Sequence, residues 1–167
     1  MGSPQGDIEA SLSDLRRLTA ADFAAIAWLD NDLIRWKYAS GNRNDRYKRI
    51  VLRFGKGIAG KVMSSGRPMI LDSFIPKSGD DPREYPILLA EGLKSIVAVP
   101  ITTNERVKGV LLVGCREVRH FDEEVVELVL SVSEQLETML RPTTLTPTAP
   151  STYQVSNNLD SLKRTQT

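Results

Sequence analysis

The residues from Gly55 to Gly60 read Gly-Lys-Gly-Ile-Ala-Gly, so three glycines lie within six positions, directly before a segment whose apolar spacing predicts a helix. Glycine permits positive φ and close backbone approach, and a helix that starts after such residues presents unpaired N–H groups at the positive end of its dipole. This arrangement can bind a small anion or a carbonyl oxygen. The stretch is neither a Walker loop nor a GxGxxG motif. A tight turn that binds nothing is the alternative interpretation.

Two single residues could carry other chemistry. Cys115 is the only cysteine, which excludes an intramolecular disulfide and makes an iron–sulfur or structural zinc site unexpected. It follows a strongly apolar run, so we expect a packed small side chain. His120 is the only histidine, and no Ser, Cys or acidic constellation accompanies it, so we expect a surface or supporting position. The sequence therefore predicts neither an enzyme nor a metal site.

Composition is that of an ordinary globular chain. The 167 residues suit one domain, with 41% apolar and 26% charged residues and a net charge of +1. Nothing in this charge calls for a nucleic acid or an anionic membrane as a partner. The apolar runs are shorter than a membrane span, and the N-terminus has no basic region followed by an apolar one. With the lone cysteine, these features predict a cytoplasmic location.

Apolar periodicity divides the chain into alternating elements. It predicts helices over 7–18, 58–64, 86–91 and onward from a cap at Asp122, and strands over 23–29, 33–40, 50–53, 68–71, 95–101 and 106–115. Residues 1–6 and 142–167 are predicted to be disordered on either side of one domain over 7–141.

This order indicates an α+β fold. The strands are expected to form one antiparallel sheet with the two terminal helices on one face. Loops and short helices would cover the other face and form a ligand pocket there.

Several motifs together resemble the GAF domain family over residues 8–140. They are the glycine stretch 55–60 with the helix that follows it, Gly66-Arg67-Pro68, the apolar run 95–101, Gly109-Val110-Leu111, and Phe121-Asp122-Glu123-Glu124. The resemblance implies the fold just described but no particular ligand, because GAF domains bind cyclic nucleotides, bilins, haem or small metabolites, and some bind nothing known.

Within that family the chain is most similar to stand-alone nitrate receptors of nitrate- and oxygen-sensing two-component systems. The resemblance implies a bound nitrate and no cofactor, a sensor histidine kinase as partner, and a possible homodimer. The implied ligand-binding residues are an aromatic side chain and the starts of two helices: Trp36, then Gly57, Ile58 and Ala59, then Tyr85, Pro86 and Ile87.

Other interpretations stay open. The chain could be a GAF module for another small metabolite or a cyclic nucleotide, or a dimerisation scaffold without a ligand. Methionine sulfoxide reductases of this fold need catalytic and resolving cysteines, and a single Cys115 argues against that chemistry. Trp36 could be only a core aromatic, Tyr85 and Pro86 could serve only the helix start, and Lys56 is expected to be a solvated surface charge.

Overall fold

The computed structural model describes residues 4–74 and 81–140. The helices are α1 Pro4–Thr19, α2 Gly57–Ser65, α3 Pro86–Glu91 and α4 Glu123–Leu140; the strands are β1 Phe23–Asp30, β2 Leu33–Ser40, β3 Val51–Leu52, β4 Met69–Leu71, β5 Ser95–Thr103 and β6 Arg106–Cys115. Within the described residues, the connections contain two 3₁₀ turns, Arg46–Arg49 and Pro82–Glu84.

The strands form one sheet in the order β3-β2-β1-β6-β5-β4, and every neighbouring pair is antiparallel. The predicted antiparallel sheet is therefore confirmed. The β5–β6 hairpin is tighter than the sequence indicated, because Thr103 pairs with Arg106 and leaves only Asn104 and Glu105 in the loop. Both have positive φ, 50° and 65°, as the twist of a two-residue hairpin turn requires.

The terminal helices cover one face of the sheet, as predicted. Ile8, Leu12 and Leu15 of α1 and Val129 and Leu136 of α4 belong to one buried cluster with residues of the central strands. The predicted cap of α4 is also present, since Asp122 Oδ1 accepts the Val125 N–H at 3.0 Å.

The short helices and loops cover the opposite face, where they form a second buried cluster that we call the loop-side cluster. Its members come from β1, β2, β3, β5 and β6, from α2 and α3, and from the connections; they include Trp36, Tyr47, Leu52, Ile58, Ala59, Val62, Phe74, Ile87 and Leu88. Strand residues alternate between the two clusters, as the pleat requires.

One strand departs from simple alternation. The sequence pattern of β2 predicts that Ile34, Trp36 and Tyr38 share a face, but only the first two lie in the loop-side cluster. The pairing of β1 with β2 shifts by one residue here: Ile26 pairs with Tyr38 and Ala27 with Trp36. The shift turns Tyr38 towards the terminal helices, and the prediction for this residue was wrong.

The chain start also differs from the prediction. Residues 4–6, assigned above to a disordered N-terminus, belong to α1. A proline at the start of a helix lacks only an N–H that would have no intrahelical acceptor, so Pro4 is compatible with the first turn. The predicted tail over 142–167 lies outside the described residues. Within 4–74 and 81–140, no helix has both the length and the apolar character to cross a membrane.

Candidate functional site

The glycine stretch is a loop folded tightly against the first turn of α2. Gly57 opens the helix with φ +66°, and a Cβ there would lie 2.9 Å from the Leu52 side chain. A Cβ on Gly60 would lie 2.3 Å from the Arg53 carbonyl oxygen, and the Gly60 carbonyl accepts the Gly55 N–H at 2.9 Å. Larger residues at Gly57 or Gly60 would therefore displace the loop.

The start of α2 is uncapped and buried. Lys56, the N-cap residue, gives no side-chain cap, and its N–H is donated to the Arg53 carbonyl at 3.0 Å. The amides of Gly57, Ile58 and Ala59 belong to the first turn and have no intrahelical acceptor. All three residues are buried, so this end of the helix dipole lies away from bulk water.

The start of α3 is also uncapped. Tyr85 is the N-cap residue and makes no side-chain cap, and Pro86 has no N–H to donate. Leu88 donates its N–H to the Tyr85 carbonyl at 3.0 Å. Ile87 is therefore the residue of this first turn whose N–H has no acceptor among the described residues.

Trp36 contributes a side-chain donor in addition to these backbone amides. Its side chain is only 2% exposed, and its indole Nε1 has no hydrogen-bond partner in the described part of the chain. Buried indole N–H groups are usually paired, because leaving one unsatisfied costs about 1–3 kcal/mol. The orphaned donor indicates that an acceptor belongs beside Trp36.

The seven predicted ligand residues belong to β2, to the first turn of α2 and to the start of α3, all on the loop-side face. The loop-side cluster contains Trp36, Ile58, Ala59 and Ile87, and Tyr85 packs against it. The helices α2 and α3 also contact each other. The remaining two, Gly57 and Pro86, line an outer cleft of about 620 Å³ rather than the buried cluster. The predicted set thus divides into a buried part and a cleft wall.

Charged groups surround that outer cleft. Lys56, Lys61 and Arg83 line it together with Asp81 and Glu84. Arg83 donates to both oxygens of Asp81 at 3.2 Å, and this hydrogen bonding holds the pKa of the Asp81 carboxyl below its ordinary value. One cation of the cleft is thereby neutralised, and Glu84 offsets one of the two lysines, so the lining keeps an excess of one positive charge.

Lys61 lines the same cleft and contacts Tyr85, and the sequence analysis did not single it out. Its Nζ lies 3.2 Å from the Tyr85 hydroxyl and 4.9 Å from the centre of that ring, and Phe74 meets the same ring edge-on at 5.8 Å. Tyr85 is thus held from two sides. The spacing offered a signal, because Lys61 follows Gly57 by one helical turn and shares its face of α2.

The other singled-out residues lie elsewhere. Lys56 is exposed, as expected, although it borders the cleft. Cys115 is buried, as predicted, with its sulfur 3.4 Å from an Arg119 guanidinium nitrogen. His120 is on the surface, where its Nδ1 lies 2.9 Å from Asp72 Oδ2. Nowhere in the described residues do three or more His, Cys, Asp or Glu side chains gather as metal ligands would.

Comparison with known proteins gives a family and a specific likeness. The model of the GAF domain family matches residues 8–141. A solved structure of NreA from Staphylococcus aureus, mutated in its nitrate binding site, is 38% identical with a TM-score of 0.64, and the match covers 71% of this chain and 89% of that one.

Two further relatives are more distant. The transcriptional activator RamA of Corynebacterium glutamicum, of the HTH type, is 27% identical over 132 residues, which are 78% of this chain and 47% of RamA. The chain therefore spans about half the length of the curated relative it matches. A type II free methionine-R-sulfoxide reductase from Thermoplasma acidophilum has a TM-score of 0.67 over 81% of this chain and 91% of its own, at 15% identity, and shares the fold alone.

Proposed function

Because the chain belongs to the GAF domain family, we propose that it is a sensor that binds nitrate, or a similar small monoanion, and modulates a partner sensor histidine kinase. The anion would be held between the start of α2, the start of α3 and the Trp36 indole. The function is binding and signalling, with no catalytic step.

The orphaned Nε1 of Trp36 carries this proposal. A core aromatic would satisfy this donor or turn it to water, whereas here it is buried and unpaired. Its loop-side cluster also contains Ile58, Ala59 and Ile87, whose amides belong to two uncapped helix starts. A site with several unpaired donors and little water needs an acceptor, and an anion supplies one.

Nitrate suits these donors chemically. It has three oxygen acceptors and no proton, so backbone amides and an indole N–H can all donate to it. The site offers partial charges from two helix starts rather than a full cation, which fits a monoanion. Lys56 and Lys61 at the cleft raise the local potential without entering the buried cluster.

The apolar surroundings would provide selectivity. Ile58 and Ile87 are each 1% exposed and Ala59 is fully buried. Such walls exclude water and strengthen each hydrogen bond to the anion. Sulfate or phosphate would lose more hydration than these neutral donors return, so both are expected to bind poorly.

The relationship with NreA supports nitrate as the ligand. The solved NreA structure has a nitrate binding site, and it is 38% identical to this chain over most of the domain. The kinase partner rests on the sequence resemblance to nitrate receptors of two-component systems. A contact through α1 and α4, with a second copy or with the kinase, would communicate occupancy to that partner.

A second output is favoured by the relationship with RamA. That protein is a transcriptional activator, and the match to this chain covers 47% of it. The same ligand-sensing module would then control a DNA-binding segment instead of a kinase. Autophosphorylation of a co-purified kinase, measured with and without nitrate, tests the first output, and an unchanged rate would favour the second.

Thermal unfolding of the whole chain tests the ligand. Nitrate, chloride, sulfate and a cyclic nucleotide are compared at equal ionic strength. A ligand at about 100 times its Kd stabilises the native state by roughly 2.7 kcal/mol. For a domain of this size the melting temperature should then rise by roughly 5–10 °C. We expect this rise with nitrate and not with sulfate.

The other outcomes separate the alternatives. A flat response to every anion would favour a dimerisation scaffold and refute the anion site. A rise with the cyclic nucleotide alone would replace nitrate with a nucleotide and require a larger pocket.

A further inference from the structure

Glu91, the last residue of α3, is a buried carboxylate outside the proposed ligand contacts. The residue has no exposed surface. Its Oε1 accepts the Arg116 guanidinium at 2.7 Å and the Arg43 backbone N–H at 2.8 Å. Its Oε2 has no hydrogen-bond partner among the described residues. A buried charge with one oxygen unsatisfied is costly to keep, which calls for a reason beyond stability.

Arg116 connects Glu91 to two other parts of the chain. Its Nε donates to the Glu91 carbonyl at 2.8 Å, and a terminal nitrogen donates to the Gly41 carbonyl at 3.1 Å. Its own backbone N–H donates to Asp22 Oδ2 at 2.8 Å. Arg116 follows β6, and Asp22 lies between α1 and β1. One residue therefore joins α3 to the connection between α1 and β1.

A second set of contacts holds the same end of α3. The Arg43 side chain donates to the Ala90 carbonyl at 3.1 Å, and Asn44 donates to the same oxygen at 3.0 Å. Gly92 ends the helix with φ +65°, and a Cβ there would lie 2.7 Å from the Arg43 guanidinium. The carbonyl end of α3 is therefore bound by side chains from the loop after β2.

This anchoring is important because α3 is short. The helix has six residues, too few to be stable without tertiary contacts. The amide of Ile87 lies four residues before Glu91, which is about 6 Å along a helix axis. A shift of α3 as a rigid body at its Glu91 end therefore moves the donor at the other end as well.

We propose that Glu91 and Arg116 are positioning residues of the anion site, which fix the carbonyl end of α3 so that its first turn presents the Ile87 amide to the ligand. This proposal rests on the proposed function. Neither side chain contacts the anion. The pair fixes the position of the helix, and binding depends on that position.

The test uses the whole chain and two readouts. Glu91→Gln keeps the shape but removes the charge, and Arg116→Met removes the guanidinium while keeping an apolar stem. Hydrogen exchange of the α3 amides is measured without any anion, and the Kd for nitrate is measured by calorimetry. Glu117→Gln is the matched control, since this exposed carboxylate is the next residue after Arg116.

A second control separates position from stability. Leu136→Ala truncates a buried side chain in the cluster under the terminal helices, away from α3. It should lower the unfolding midpoint but leave the Kd unchanged, because α3 keeps its anchors. If Glu91→Gln does not fold, Arg116→Lys provides the same test, since a lysine cannot bridge Glu91 and Gly41 through a planar fork.

We expect exchange of the α3 amides to accelerate, and the Kd for nitrate to rise, each by about tenfold or more in Glu91→Gln and Arg116→Met. Exchange at the wild-type rate in both variants would overturn the proposal. So would faster exchange with an unchanged Kd, since the pair would then hold the helix without serving the site. If the wild-type chain binds no nitrate, the proposed function fails, and the exchange measurement still decides whether the pair holds α3.

Discussion

Replacing Trp36 with phenylalanine removes the indole N–H donor of the proposed site and keeps an aromatic ring in the core. Trp36→Ala is a poorer test, since truncation of a buried tryptophan costs about 3–5 kcal/mol of stability and could unfold the chain. Trp36 is 2% exposed, so its full volume contributes to the loop-side cluster. Phenylalanine separates loss of the donor from loss of most of the packing.

The expected effects on stability and binding differ in size. Without ligand, Nε1 has no partner, so its removal relieves an unsatisfied donor, and this gain opposes the loss from the smaller ring. With nitrate bound, the variant lacks a hydrogen bond to a charged acceptor, worth about 1.5–3 kcal/mol. Since about 1.4 kcal/mol corresponds to a factor of ten, the Kd should rise by about 10- to 100-fold.

Calorimetric titration with nitrate measures this change, and urea unfolding without ligand measures stability. Trp28→Phe is the matched control, because Trp28 lies on β1 and packs against the cluster under the terminal helices. That variant also leaves Trp36 as the only tryptophan, so its fluorescence can report binding directly. A Trp36→Phe variant that binds nitrate as tightly as the wild type would refute the role of the indole.

Two further predictions concern the frame around the site. Gly60→Ala should destabilise the chain by about 1–3 kcal/mol, because the added Cβ would lie 2.3 Å from the Arg53 carbonyl oxygen. Urea unfolding measures this loss, with Ser64→Ala, an exposed substitution on the same helix, as the control. Equal unfolding midpoints for the two variants would contradict the close approach at Gly60. Burial, with the nearby charge of Asp45, raises the pKa of Tyr47 above its ordinary value of 10.0, so the stability from this group is complete below about pH 10 and falls as the pH rises through the folded-state pKa. Urea unfolding between about pH 9 and pH 11 should therefore show a steeper loss in the wild type than in Tyr47→Phe, and parallel curves would exclude this linkage.

Periodicity predicted most elements because it records local requirements. β2, α3 and β6 have the predicted bounds, and Asp122 caps α4 as its position before an apolar stripe indicated. The glycine stretch was also interpretable, since Gly57 and Gly60 occupy positions that a Cβ would obstruct. These features depend on residues close together in the chain, where steric and hydrogen-bonding rules act directly.

Long-range pairing decided what the pattern missed. Alternation assigned Tyr38 to the wrong face because a register shift against β1 is not visible in β2 alone. Lys61 was overlooked since its neighbour Tyr85 is distant in sequence and meets it only when α2 and α3 pack together. The seven predicted ligand residues came from a family resemblance, and their roles as ligand contacts remain predictions.

By itself, the sequence determined the antiparallel sheet with helices at both ends of the domain, the glycine-led helix start and the family. Each follows from spacing along the chain or from motifs that stand in it. Only the tertiary structure decided that the Trp36 indole is buried without a partner and that the Glu91 carboxylate is bound by Arg116. Burial and side-chain hydrogen bonding depend on which distant segments pack together. The packing of the two short helices on the sheet determines this.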